Sequence, residues 1–171
     1  MRAGMFRSLV FSALMLCGTL AGESRAAEIP LRLPLVQVGD WVEFRHDGVV
    51  YRHEIKELEQ TPSELFVHYD IQTLDADGGV KQTAWSTLAA SQEVKLAEIY
   101  AASFRENGFA VSRREVMLGG RTVVATVFLD AGTGEEYWFS DAIGTMNLVR
   151  YHSGDGTGEP ELLVLDFGGE D

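Results

Sequence analysis

Apolar and polar residues alternate from Trp41 to His46 and again from Val49 to Glu57, with the dipeptide Asp47-Gly48 between the two runs. A period of two marks strands with one buried face. Asp-Gly tolerates positive φ at both turn positions, so the stretch predicts a β-hairpin. Folding the chain about that turn sets Phe44 opposite Tyr51 and Val42 opposite His53 on one face. Glu43 then meets Arg52 on the other face, where unlike charges attract. After a turn at Gln60–Ser63, the run Leu65–Leu74 puts Leu65, Val67, Tyr69 and Ile71 on one face and His68, Asp70 and Gln72 on the other. Asp75–Gly79 turns the chain into Val80–Ser86, which completes a meander of about four antiparallel strands.

The period changes at Ser91. Leu96, Ile99, Tyr100 and Phe104 recur at helical spacing, and Asn107-Gly108 supplies a stop. This predicts one amphipathic helix whose apolar stripe covers the sheet. Strands resume at Val111–Met117 and Arg121–Leu129 around Gly119-Gly120, then at Glu135–Ser140, Leu148–His152 and Leu162–Phe167. The fold class is mainly β (α+β): a curved antiparallel sheet of about eight or nine strands, half-barrel-like, packed on one helix.

Residues 1–26 have a different character. Arg2 and Arg7 precede the uncharged, mostly apolar run Ser8–Gly22, and Ser24-Arg25-Ala26 offers small residues where a signal peptidase reads. That is the layout of a secretory signal peptide cleaved at Ala26. The apolar run falls short of the roughly 20 residues that span a bilayer, so no transmembrane span is expected in the mature chain. Residues 27–171 are then read as a single β-rich domain, exported to the periplasm or the extracellular space, with Glu28–Pro34 as an extended lead-in. The only cysteine, Cys17, lies in the leader, so the mature chain has no disulfide, thiolate nucleophile or cysteine ligand. Bacterial lipidation calls for a small residue before the cysteine, and Leu16 stands there.

Charge narrows the partners. The chain carries 14 basic and 26 acidic residues, a net charge of −12. The leader holds Arg2, Arg7, Arg25 and Glu23, which leaves 11 basic against 25 acidic residues beyond it. Such a surface repels phosphate backbones, so no nucleic acid partner is expected, and it attracts cations or basic partners only diffusely.

Chemical motifs are scarce. Gly154–Gly158 (GDGTG) precedes a strand rather than a helix and reads as a hairpin turn, not a phosphate loop. Asp75–Gly79 (DADGG) opens like a calcium loop, but Lys81-Gln82-Thr83 lack the oxygen ligands that should follow, so it reads as a turn. His46, His53, His68 and His152 show no HExxH spacing, and the hairpin register puts His53 inward and His68 outward. GxSxG is absent, and carboxylate pairs such as Glu135-Glu136 are expected by chance among so many acids. The sequence therefore assigns no catalytic residue, no metal ligand and no cofactor. An enzyme is disfavoured, not excluded.

The segment Glu136–His152 (EYWFSDAIGTMNLVRYH), VGDWV at Val38–Val42 and the closing run Leu163–Gly168 together resemble a loose group of exported bacterial β proteins. In that group a strand ending in W-x-S-D/E turns into a G-x-V-K/R strand, and the last strand ends in D-F/Y-G. The group's shape looks like the half-barrel of the LolA-like lipoprotein carriers, in which a curved sheet holds lipid chains beneath helices. The chain departs from the pattern in three places: Gly144 replaces the turn proline, Asn147 replaces the glycine opening the next strand, and there is one helix where a carrier lid uses more. No functional residue transfers, and Trp138, Phe139 and Tyr151 read equally as ordinary sheet aromatics.

Two functional expectations follow, neither catalytic. In the first, the protein binds or carries an apolar or lipid-like ligand on a concave surface lined by Val42, Phe44, Tyr51, Ile55, Val67, Tyr69 and Ile71. The alternative is an interaction or structural subunit of a cell-envelope assembly, which requires a filled core and an exposed edge strand or apolar patch facing an envelope protein. A hydrolase ranks third and would need His and carboxylate groups converging in a cleft. Expression in an exporting host is expected to yield a product that begins at Ala27, read from its intact mass; a product retaining residues 1–26 contradicts the leader.

Overall fold

At Asp47-Gly48 both residues take positive φ, 47° and 78°, as a two-residue hairpin turn demands. The strands on either side, β1 (Trp41–His46) and β2 (Val49–Gln60), pair Phe44 with Tyr51, Val42 with His53 and Glu43 with Arg52, the register predicted from the sequence. Arg52 lies 3.0 Å from Glu43. A computed structural model describes residues 28–33, 35–154 and 158–169. The predicted leader, Cys17 and the cleavage site at Ala26 lie outside the described residues, as do residues 155–157 of the Gly154–Gly158 turn.

The meander continues through β3 (Leu65–Leu74) and β4 (Val80–Ala89), and α1 (Ala90–Glu106) follows with no intervening loop. The second half comprises β5 (Ala110–Leu118), β6 (Arg121–Leu129), β7 (Glu136–Phe139), β8 (Leu148–His152) and β9 (Leu162–Gly168). All nine strands form one antiparallel sheet in the order β4-β3-β2-β1-β9-β8-β7-β6-β5. The sheet is open, with β4 and β5 at its edges. Its curvature shows in what α1 touches. The helix meets β3 and β4 near one edge, while its Phe104 stacks on Phe128 of β6 and packs against Tyr137 of β7 near the other.

No residue at the helix start caps it locally: Ala89 occupies the N-cap position. Glu64, from the β2–β3 turn, accepts the Ser91 N–H at 3.1 Å instead, and Ser91's hydrogen bonds hold its carboxyl below the usual range. The fully buried face of α1 is Glu93, Ala97, Ala101 and Phe104. This corrects the predicted stripe. Phe104 holds its place and Leu96 and Tyr100 are half-buried against the core, but Ile99 is 53 % exposed. The helix approaches the sheet over alanines, which lets it lie close, and a carboxylate is buried with them.

That carboxylate is answered by the lead-in. Ile29, Leu33 and Val36 join the core, so the segment before β1 runs through the interior as a strap. Arg32 goes in with it. Its backbone N–H donates to Glu93 Oε1 at 3.3 Å, its Nε lies 3.7 Å from the same oxygen, and its guanidinium donates to the Thr145 carbonyl. Asn147 Nδ2 donates to the Pro30 carbonyl at 2.6 Å. The strap is thus tied to α1 and to the β7–β8 connection at once.

At the far end, the β5–β6 turn folds back onto β9, where the Gly119 N–H donates to the Leu165 carbonyl at 3.1 Å. Strand β6 buries Val123, Ala125 and Val127 on one face and Phe128 on the other, where Thr122 and Val124 stay exposed. Among the described residues no helix is long and apolar enough to cross a membrane. Replacing Glu93 by Ala leaves the Arg32 charge buried without its carboxylate. Unfolding in urea should then show a loss of about 3–5 kcal/mol, whereas Ile99→Ala should cost under about 1 kcal/mol.

Candidate functional site

The seven residues predicted to line a concave surface do share one face. Register sets Phe44 beside Tyr51, Ile55 beside Tyr69, and His53 beside Ile71. Val42, Phe44, Ile55, Val67 and Tyr69 are buried within the core that the strap and α1 complete. Tyr51 and Ile71 are only half-buried, at the end of the strands away from α1. Between them, Phe44 stacks on Tyr51 with ring centroids 5.5 Å apart, meets His53 edge-on at 4.7 Å, and His53 reaches Tyr69 at 5.7 Å.

The hairpin register predicts His53 on this face, opposite Val42, and so it stands. It is 3 % exposed, and burial first, then the nearby Arg32 charge, holds its pKa down to about 3. The ring is therefore neutral at any ordinary pH, and its Nδ1 has no hydrogen-bond partner. The Tyr69 hydroxyl is pushed up, chiefly by burial.

His46 follows Phe44 by two on β1 and so shares that face, whereas His68 and His152 lie elsewhere. His68 faces outward, with Nδ1 2.9 Å from Thr87 Oγ1 and Nε2 3.3 Å from Glu59. His152 is buried on β8. Among the described residues no group of three or more His, Cys, Asp or Glu could hold a metal ion. Asp75 Oδ1 is occupied within its own turn, accepting the N–H groups of Asp77 at 3.0 Å and Gly79 at 2.7 Å, as the turn reading requires.

A second polar cluster lies on β7 and β8. The hydroxyls of Tyr137 and Tyr151 both donate to Glu135 Oε1, at 2.8 and 3.1 Å. Burial first, then the carboxylate, pushes Tyr151 up to about 12; burial, Tyr151 and Glu135 push Tyr137 up as well. Both phenols stay protonated donors, so this cluster holds a carboxylate in place and supplies no base.

The three segments behind the sequence resemblance meet in a shallow cleft of about 270 Å³. Asp40 comes from VGDWV, Asp141 and Gly144 from the β7–β8 connection, and Phe167 and Gly168 from β9. The Asp40 carboxylate accepts the Gln37 N–H at 2.8 Å, and burial raises its pKa against that bond. It fills a space between two glycines. A Cβ at Gly144 would stand 2.3 Å from its Oδ2, and one at Gly169 would stand 2.4 Å from its Oδ1. A proline at 144 would bring the same Cβ, so the glycine found there follows from the carboxylate beside it. Arg121 lies over the Phe167 ring at 3.7 Å and 3.5 Å from Asp166. The cleft joins motif to motif but pairs no nucleophile with a base.

The surface least accounted for by the fold is β4. It is an edge strand of ten residues, exposed from Val80 through Trp85, and Trp85 is 76 % exposed. The one charge on β4 is Lys81, near its start, whereas the opposite edge, β5, carries Arg113, Arg114 and Glu115. An edge strand presents unpaired N–H and C=O groups along its free side, and charges are a usual guard against pairing. Sequence alternation revealed the strand but not its position at an edge.

No family model matches the chain, and no curated protein matches it. Two solved structures are similar at low identity. One is a candidate lipoprotein from Parabacteroides distasonis, at 10 % identity and TM-score 0.44, covering 77 % of this chain and 96 % of that one. The other is a candidate exported protein with a YmcC-like fold from Bacteroides fragilis, at 9 % identity and TM-score 0.43, covering 78 % and 97 %.

Acid should test the interior. Between pH 6.5 and about 3 the unfolded His53 holds a proton that the folded one refuses, so stability falls as pH falls through that window, by up to about 1.4 kcal/mol per pH unit, and His53 adds no pH dependence above it. Urea midpoints for wild type and His53→Gln should converge as pH drops from 7 to 4; parallel curves contradict a buried neutral imidazole.

Proposed function

We propose that this protein is an exported, non-catalytic interaction domain of a cell-envelope assembly, and that the β4 edge is its working surface. The exposed edge carrying Trp85, with Lys81 near its start as its one charge, is the observation that supports this reading. Its other requirement, a core filled by the protein itself, is supported by the strap and α1, which pack with five of the seven concave-face residues. Pairing a partner strand along β4 would satisfy its outward backbone groups and cover Trp85, the usual physics of strand addition.

Carriage of an apolar or lipid-like ligand is favoured by one observation. Tyr51 and Ile71 remain half-exposed beside the aromatic run of Phe44 and His53. A half-barrel carrier of the LolA-like kind would use such an apolar stretch of its concave face. Two half-buried side chains enclose less than a lipid chain usually receives.

The two readings separate in one experiment on the chain from Ala27, produced in its host's envelope with a photo-crosslinking residue at Thr83 on β4 or at the exposed Thr122 on β6. The interaction reading predicts a protein adduct from position 83 and none from 122, together with a native mass equal to the denatured mass. Extra mass in the lipid range that disappears on denaturation, with no adduct specific to position 83, assigns the protein to carriage.

A further inference from the structure

The chain has three tryptophans, and among the described residues two of them are covered by an arginine from an adjacent strand. Arg52 of β2 lies over Trp41 of β1, with the guanidinium carbon 4.4 Å from the ring centre. Arg150 of β8, paired directly opposite Trp138 of β7, lies 5.3 Å from that ring, and Arg114 of β5 lies at 5.3 Å as well. Trp85 stands in the same cross-strand row as Trp41, in the order Trp41, Glu54, Asp70, Trp85 across β1 to β4. It has no such cover. The strand that would supply one is the strand missing beyond β4.

From this we infer that the β4 edge takes an extended segment of a partner protein that carries arginine or lysine opposite Trp85. The inference rests on the reading of β4 as a docking edge and names its partner's chemistry. A guanidinium over an indole face is attracted by the ring and gains further when water is excluded. Asp70, directly opposite Trp85 on β3, adds a carboxylate to the same spot. The surrounding charge agrees: residues 49–89 contain seven acids against three bases, and the whole chain carries −12. The same charge opposes a second copy of this chain as the occupant, since two such edges would bring like-charged surfaces together.

Backbone pairing along β4 gives affinity for any extended segment, and the cation at one alternate position gives the choice among them. Side chains of the partner on the opposite face would lie beside Ala84 and Ser86, where small or β-branched residues fit.

The test uses the whole chain from Ala27 and two soluble peptides of about ten residues, the length of a strand that would match β4. One alternates arginine with valine and the other glutamate with valine. Amide hydrogen exchange of Lys81–Thr87 is followed with each. The arginine peptide should slow those amides and bind at least about tenfold more tightly than the glutamate peptide, with the preference shrinking as salt rises. Trp85→Phe should keep most of that preference and Trp85→Thr should lose it; the side chain is exposed, so an unchanged melting temperature certifies both folds. Equal protection by the two peptides overturns the cationic partner and leaves the docking edge standing. Protection by neither peptide overturns the inference too, and the adduct from position 83 then decides the docking edge separately. Concentration-dependent protection without peptide, with a doubled native mass, assigns the edge to a second copy and overturns it likewise.

Discussion

The buried contact between Arg32 and Glu93 is the interaction on which the rest of this structure turns. A nine-stranded sheet curved toward one 17-residue helix has more concave surface than the helix can cover. The helix presents two alanines and a glutamate to the sheet along with Phe104, so it lies low and leaves space on one side. The strap fills that space, and it can stay only because its arginine finds the helix's carboxylate. Two charges taken out of water separately would each cost several kcal/mol; together, at 3.7 Å and with the Thr145 carbonyl accepting from the guanidinium, they offset part of that cost. A hydrophobic pair would have packed as well, but the ion pair also fixes which residue of the strap meets which turn of the helix.

Several features of the interior follow from that contact. The positive charge of Arg32 adds to burial in keeping His53 neutral. Asn147 and Thr145, both on the β7–β8 connection, face the strap and hold it by its backbone and by Arg32. The Asp40 carboxylate sits between two glycines, Gly144 and Gly169, beside a cleft of modest size. With the centre occupied, the stretch of the β4 edge from Val80 through Trp85 stays exposed.

Much of this was legible in the sequence wherever the information is local. The hairpin register could be read because Asp47-Gly48 fixes the turn and both faces agree on the pairing. The strand order within the meander follows from short connections. The helix face was not legible. Leu96, Ile99, Tyr100 and Phe104 make the better apolar stripe, and nothing near Glu93 announces that its counter-charge lies 61 residues earlier. The strap was missed for the same reason, since EIPLRLP looks like any extended lead-in until Arg32 is placed. Gly144 and Asn147 looked like departures from a pattern; each has a partner, Asp40 and Pro30, far away in the chain. Trp85 alternates as well as any residue in a central strand, and only the topology shows that its strand has one neighbour.

The most direct test of a permanently occupied interior is native-state hydrogen exchange of single amides in the chain from Ala27. The Arg32 N–H is bonded to the buried Glu93 carboxylate, and it should exchange only through global unfolding, with the same free energy as the Ile55 amide in the core of β2. The outward-facing amides of β4 should exchange many orders faster. An Arg32 amide that exchanges as fast as those of β4, while Ile55 stays protected, means that the strap leaves the interior on its own, and the occupied-core account is then wrong.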